Sequence, residues 1–257
     1  MAIRAVRNLL NSMGSWPAAV DLVISASYTP QDTIGTTAHQ VQREFALRDA
    51  KVFELSSACS SFLNALEVGA TFIEAGRSHC ALLVATEHNS HFSDDDSNHL
   101  WGDGAAAVLL RPGGSFRILS TMTRGRADLG RGPAAVSMRP KDGGLQMPFG
   151  REVFQNAIDE MQQISGEILA QAGLTSDDVC LVVPHQANLR ILHALAERMK
   201  ISQERLAVSI DMLGNTGSAS VPITLHRNAS RVPMGGKVLL VSFGGGYSVG
   251  AALLQRV

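Results

Sequence analysis

Residues 237–257 read KVLLVSFGGGYSVGAALLQRV, two apolar runs that meet at three consecutive glycines. A short run that is apolar at almost every position, rather than at every second one, is the pattern of a strand buried on both faces. The same order stands earlier in the chain, where CALLVATEH (80–88) precedes GDGAAAVLLR (102–111). Upstream, VCLVVPHQA (179–187) answers VDLVISASY (20–28), and RLAVSID (205–211) answers KVFELS (51–56), with helical stretches between the runs. Two copies of one α/β unit are therefore expected, with mostly parallel strands covered by helices. The second copy opens with a further strand, FRILSTM (116–122), ahead of the long helix REVFQNAIDEMQQISGEILAQAG (151–173). The first has a counterpart of that helix, IRAVRNLLNSM (3–13), but no strand before it. The halves divide at 1–115 and 116–257, the first lacking its first strand.

Composition narrows the class. Of 257 residues, 45% are apolar and 18% charged, ordinary values for a globular protein with a substantial core. A formal charge of −1 gives no electrostatic reason to expect nucleic acid as a partner, and no apolar run reaches the ~20 residues of a membrane span. Near the N-terminus Ile3, Val6, Leu10 and Met13 recur at helical spacing, which favours a packed helix over a transit peptide. Cys59, Cys80 and Cys180 are odd in number and widely spaced, which fits reduced thiols in a cytoplasm.

Three polar residues punctuate strand ends. Cys59 lies in LSSACSSF (55–62), where a strand gives way to a helix; His185 ends VCLVVPH; Asn215 sits in GNTGS (214–218). Reactive groups of open α/β sheets gather at the carboxyl ends of strands, so the three converge if the strands are equivalent. A cysteine at a helix N-terminus meets unpaired N–H groups and the positive end of the helix dipole, and both favour thiolate. Taken singly, each has a blander reading: an inert core cysteine, a satisfied core histidine, a turn asparagine. The order Cys, His, Asn is also that of papain-like proteases, but their C-G-[SA]-C-[WY] signature is absent from LSSACSSF.

ACSSF (58–62), VPHQAN (183–188), GNTGSASVP (214–222), GDGAAA (102–107), FGGGYSVGAAL (243–253) and GREVFQNA (150–157) together resemble β-ketoacyl-acyl-carrier-protein synthase III, a condensing enzyme of the thiolase fold. The resemblance covers nearly the whole chain. It implies a decarboxylating Claisen condensation of an acyl-CoA primer with malonyl-acyl-carrier protein, by a cytoplasmic homodimer without a cofactor beyond the thioesters of CoA and phosphopantetheine. It matches Cys59 to the acylated nucleophile and His185 with Asn215 to the pair that supports decarboxylation. The N–H groups of Cys59 and Gly245 match the oxyanion hole, Phe243 the aromatic residue beside the malonyl group, and Asn188 a residue of the pantetheine tunnel. Arg190 falls on the surface offered to the carrier protein. The absent first strand is, by the same resemblance, a central one.

The rivals are a hydroxymethylglutaryl-CoA synthase-like or degradative thiolase-like enzyme, a condensing enzyme of a specialised pathway, and a non-catalytic partner subunit. The degradative thiolases typically use a second cysteine near the C-terminus, where none stands here. TEHNSHFSDDDSNHLWGDG (86–104), with Asp94 to Asp96, reads as a solvated loop, or as one shaping an acyl pocket or dimer contact, rather than a metal site. GGLQMPFGREVF (143–154) has no phosphate-loop spacing.

Overall fold

Along β1 (Leu22–Ala26) the side chains of Leu22, Ile24 and Ala26 enter one core and Val23 enters another, and all are buried. β3 (Ala81–Glu87) divides in the same way, with Ala81, Leu83 and Ala85 against Leu82 and Val84. Alternation with both faces covered is why these strands read as unbroken apolar runs. The computed structural model describes residues 1–16, 19–92, 98–139 and 144–257. Asp94 to Asp96 fall outside them.

The first sheet has the order β2-β1-β3-β4, with β2 at Lys51–Leu55 and β4 at Gly104–Leu110. β1 is parallel to both β2 and β3, whereas β4 runs against β3. The second sheet is β5-β10-β9-β8: β5 spans Phe116–Gly125, β8 Val179–Pro184, β9 Lys237–Gly244 and β10 Ser248–Arg256. β8 and β9 are parallel, and β10 runs against both of its neighbours. In each sheet one strand thus opposes three, and each sheet is drawn from one half of the chain. A hairpin of β6 (Ser137–Arg139) and β7 (Gly144–Gln146) stands apart.

Two expectations are corrected. RLAVSID forms no regular strand; only Leu206 bridges to Val182, and the chain then turns into the short helix α6 (Ile210–Leu213). The absent first strand is expected at the centre of its sheet, but its counterpart in the second half, β5, lies at an edge, paired to β10 alone. Among the described residues the first sheet carries no strand on the matching edge of β4.

Helices fill the spaces between and outside the sheets. α1 (Ala2–Met13) and α2 (Thr37–Glu44) cover the outer face of the first sheet, where Ala2, Val6 and Val41 bury against Val23, Leu82 and Val84. α3 (Ser61–Glu74) and α7 (Ser220–Asn228) contribute to the core between the sheets, Phe62, Leu63 and Leu66 meeting residues of both. α4 (Gly150–Gln171) and α5 (Leu189–Arg198) cover the far face of the second sheet through Ile158, Met161, Ile164 and Leu192. The result is a helix–sheet–helix–sheet–helix stack in which α3, carrying the cysteine at its start, is central. Among the described residues no helix is long and apolar enough to cross a membrane.

Candidate active site

The serines around Cys59 tie a sharp corner. After β2 the backbone reverses through Ala58, whose φ of 50° lies in the left-handed region, a strained choice for any residue but glycine. Ser61 Oγ donates to the Ala58 carbonyl (2.6 Å) and accepts from the Ser57 N–H (2.8 Å), while Ser60 Oγ donates to the Ser57 carbonyl (2.7 Å). From the second half Ser242 Oγ donates to the Cys59 carbonyl (2.9 Å), and Ser248 Oγ meets Ser60 Oγ at 2.5 Å. Gly244 must be glycine here: a Cβ on it would stand 2.8 Å from the Cys59 nitrogen and the Ser57 oxygen. Both halves of the chain therefore hold one cysteine just before the first turn of α3.

His185 follows β8 and is 2% exposed. Its Nδ1 lies 2.7 Å from Ser220 Oγ at the start of α7, and its own N–H donates to the Val241 carbonyl (2.8 Å). Burial pulls its pKa down to about 4, so the ring is neutral at physiological pH. Asn215 follows Gly214 (φ 66°) and is 4% exposed. Its Oδ1 accepts from the Gly217 N–H (2.9 Å) in an Asx turn, so the Nδ2H₂ end of the amide is the one left to donate.

Cys59, His185 and Asn215 line one cavity of about 390 Å³, together with Phe243, Asn188 and Gly245. The Phe243 ring also packs on Tyr247, centroids 4.9 Å apart. Asn188 caps α5 by accepting from the Arg190 N–H (2.9 Å). Arg190 does not line the cavity; it is exposed on the first turn of α5. A cavity of about 510 Å³ beside β4 holds none of these residues.

The expected thiolate is not the resting state. Burial, with the Glu87 carboxylate second, pushes the Cys59 thiol up to about 12; a hydrogen bond from Tyr28 and one from its own backbone N–H only partly oppose them. The helix N-terminus is outweighed because the cavity walls are apolar and include no lysine or arginine among the described residues.

Sequence reasoning passed over the residues behind the cysteine. Glu87, at the end of β3, is fully buried and accepts from Thr29 Oγ1 (2.6 Å), Ser218 Oγ (2.5 Å), Ser27 Oγ (3.2 Å) and the Thr29 N–H (3.1 Å). Burial raises it to about 7 despite those bonds. Asn89, in the stretch read as a solvated loop, is 1% exposed. Their position directly after an apolar strand, opposite the polar SASYT (25–29), is the signal that was available. Among the described residues no group of three or more His, Cys, Asp or Glu is placed to hold a metal ion.

Known proteins share the sequence and fold that carry this cavity. Residues 53–126 match the model of the family described as 3-Oxoacyl-[acyl-carrier-protein (ACP)] synthase III, and residues 169–256 that of its C-terminal part. The chain is 37% identical to beta-ketoacyl-[acyl-carrier-protein] synthase III of Roseiflexus sp. (strain RS-1) over 99% of its own length and 82% of the relative's. The crystal structure of 3-oxoacyl-[acyl-carrier-protein] synthase III from Aquifex aeolicus VF5 superposes with a TM-score of 0.91 at 35% identity, over all of this chain and 83% of that one. The priming β-ketosynthase of the R1128 polyketide biosynthetic pathway superposes with a TM-score of 0.87 at 33% identity, over all of this chain and 81% of that one. Since the likeness runs through sequence and backbone together over nearly every residue, the chain belongs to the β-ketoacyl-acyl-carrier-protein synthase III family.

Proposed function

We infer that this protein is a condensing acyltransferase that joins an acyl-CoA primer to malonyl-acyl-carrier protein, with Cys59 as the nucleophile. The observation that carries this reading is the convergence, on one cavity, of a cysteine sulfur and two neutral donors supplied from opposite halves of the chain. In the first step the Cys59 sulfur attacks the primer carbonyl, the bond to CoA sulfur breaks, and the thiol proton leaves with CoA as its free thiol. Because the resting thiol holds its proton, that proton is lost along the path to acylation rather than beforehand.

In the second step carbon dioxide leaves the malonyl thioester and the electron pair of the broken C–C bond becomes an enolate. The Nδ2H₂ of Asn215 and the Nε2 side of neutral His185 supply donors for the enolate oxygen. Ser220 takes up Nδ1, which leaves Nε2 as the nitrogen available to substrate. The enolate carbon attacks the acyl-cysteine, and collapse of the tetrahedral species expels the Cys59 thiolate, which takes a proton from solvent to restore the resting thiol. The N–H groups of Cys59 and Gly245 serve that oxyanion, and the glycine run 244–246 lets the backbone come close enough. Phe243 packs beside the malonyl group and Asn188 lines the approach of the pantetheine arm. Arg190, exposed beside the cavity's α5 wall, faces the acidic carrier protein.

Incubation with acyl-CoAs of different chain length, followed by intact mass, tests the reading. An acyl adduct that maps to the Cys59 peptide is expected; an unmodified chain with every primer favours the non-catalytic subunit. Malonyl carriers of fatty-acid and polyketide type, offered to the acylated protein, then separate general initiation from a specialised pathway.

A further inference from the structure

Behind Cys59 lies a residue for which the steps above have no use. Tyr28, two residues past β1, is a wall of the same cavity as Cys59, and its hydrogen bonding works against the rise in the thiol's pKa. Both ends of the tyrosine are fixed. Its N–H points at the Glu87 carboxylate (3.3 Å to each oxygen), and its hydroxyl donates to Asn89 Oδ1 (2.9 Å). Asn89 is itself locked: Nδ2 donates to the carbonyls of Gly102 and Asn215, both at 3.0 Å, which turns Oδ1 to the tyrosine. The ring lies against the backbone of Gly217, where a Cβ would stand 2.4 Å from its hydroxyl oxygen and 2.8 Å from Cε1. A path of hydrogen bonds thus joins the tyrosine hydroxyl, on the wall it shares with Cys59, to the backbone of the Asn215 turn.

We propose that Tyr28 is a positioning residue of the condensation, its hydroxyl shared between the Cys59 sulfur and the Asn89 amide so that the nucleophile is aligned with the Asn215 turn. A hydroxyl has one proton and can serve only one acceptor at a time. While Asn89 holds it, the Tyr28 oxygen is left to accept from the Cys59 S–H, which suits the neutral thiol. When the sulfur loses its proton to become nucleophile or leaving group, the hydroxyl swings from Asn89 to the sulfur and donates to it. Asn89 therefore competes with the thiolate for the same proton, and the two residues have opposite effects on Cys59. The groups around the sulfur that titrate are Tyr28 and Glu87 on the side of β1 and β3 and His185 across the cavity; none is cationic at neutral pH.

This inference rests on Cys59 as the nucleophile, and the test keeps the two apart. The rate of iodoacetamide alkylation at the Cys59 peptide is followed from pH 7 to 10 in the parent chain, Tyr28→Phe and Asn89→Ala, with thermal unfolding of each. Tyr28→Phe keeps the ring and removes only the hydroxyl, so it should fold and react about ten-fold more slowly at a given pH, the scale of one lost hydrogen bond to a charged group. Asn89→Ala frees the hydroxyl for the sulfur and should react several-fold faster. A merely structural role moves both variants in the same direction. An unchanged Tyr28→Phe profile, or shifts of the same sign, overturns the proposal while leaving alkylation of the parent Cys59, and so its role as nucleophile, untouched. Where Asn89→Ala does not fold, Tyr28→Phe alone decides.

Discussion

Cys59 shows how far a residue's neighbourhood can reverse its sequence context. Its place at a strand-to-helix corner was legible from LSSACSSF, and the two serines that follow it, Ser60 and Ser61, brace that corner with their hydroxyls. Its protonation was not legible, because it depends first on burial in the folded cavity and then on Glu87, which lies 28 positions away in sequence and reaches the site only when β3 lines up beside β1. Alkylation of Cys59 should therefore climb about ten-fold per pH unit from pH 7 to 10, as for a thiol titrating well above that range. A plateau near pH 7 would contradict the raised value. Cys80, wholly buried, should stay unlabelled, and Cys180, whose Sγ contacts the Lys237 carbonyl at 3.0 Å, should lag. Glu87 adds a pH dependence to stability. Its folded pKa of about 7 stands above its unfolded value near 4.5, so its contribution is complete below pH 4.5 and is lost as pH rises through 7. In Glu87→Gln the fall in melting temperature between pH 4.5 and 7 should flatten, and Cys59 should alkylate several-fold faster at pH 8.

Among the elements, strands with two buried faces were the easiest to recognise, and eight of the nine apolar runs read from the sequence became the strands of the two sheets. RLAVSID failed because Leu206 and Ala207 bury in the cores through one bridge to β8 and not through a ladder. Leu206 bridges Val182, after which Ser209 turns inward to bond Thr224 Oγ1 at 2.6 Å and the backbone coils into α6. Composition alone does not separate an edge bridge from a strand. The glycine run closing β9 was legible as a site of close approach, though what approaches it was not: it is the nucleophile's own corner. Gly244→Ala should push that corner away from β9 at a cost of about 1–3 kcal/mol in stability, the usual range for overpacking. Acylation should fall by at least about ten-fold, because a shift of about 1 Å in a reacting atom is expensive. Single-turnover acylation beside thermal unfolding checks this. A variant that is destabilised yet acylates normally would show that the hairpin braces the fold and not the thiol.

At the scale of the molecule, the repeat foretold two helix-covered sheets, and the three polar residues at the strand ends meet on one cavity as their equivalence implied. The central place expected for the absent first strand is not the place its counterpart β5 takes, since the order of strands in a sheet follows from pairing that one sequence does not display. β2 and β4 are the edges of the first sheet among the described residues, and Ile34, ahead of α2, is 84% exposed. Unpaired strand edges beside apolar surface favour association. Light scattering should give a mass of at least twice the 27.3 kDa of one chain, and a well-behaved monomer would count against the homodimer. The central claim is a division of labour in which Cys59 carries the acyl group and His185 with Asn215 stabilises the enolate. It is tested most directly by release of labelled carbon dioxide from malonyl-carrier protein, measured beside the intact mass after acyl-CoA, in Cys59→Ala, His185→Ala and Asn215→Ala. Cys59→Ala should form no acyl-enzyme yet retain some decarboxylation. His185→Ala and Asn215→Ala should each lose about 10²–10³-fold in decarboxylation, the scale of one oxyanion donor, while still accepting the acyl group. Asn215 cannot act as a base, so comparable losses at the two positions would mark electrostatic stabilisation rather than proton abstraction. Decarboxylation at the parent rate in both the histidine and the asparagine variants would contradict the account.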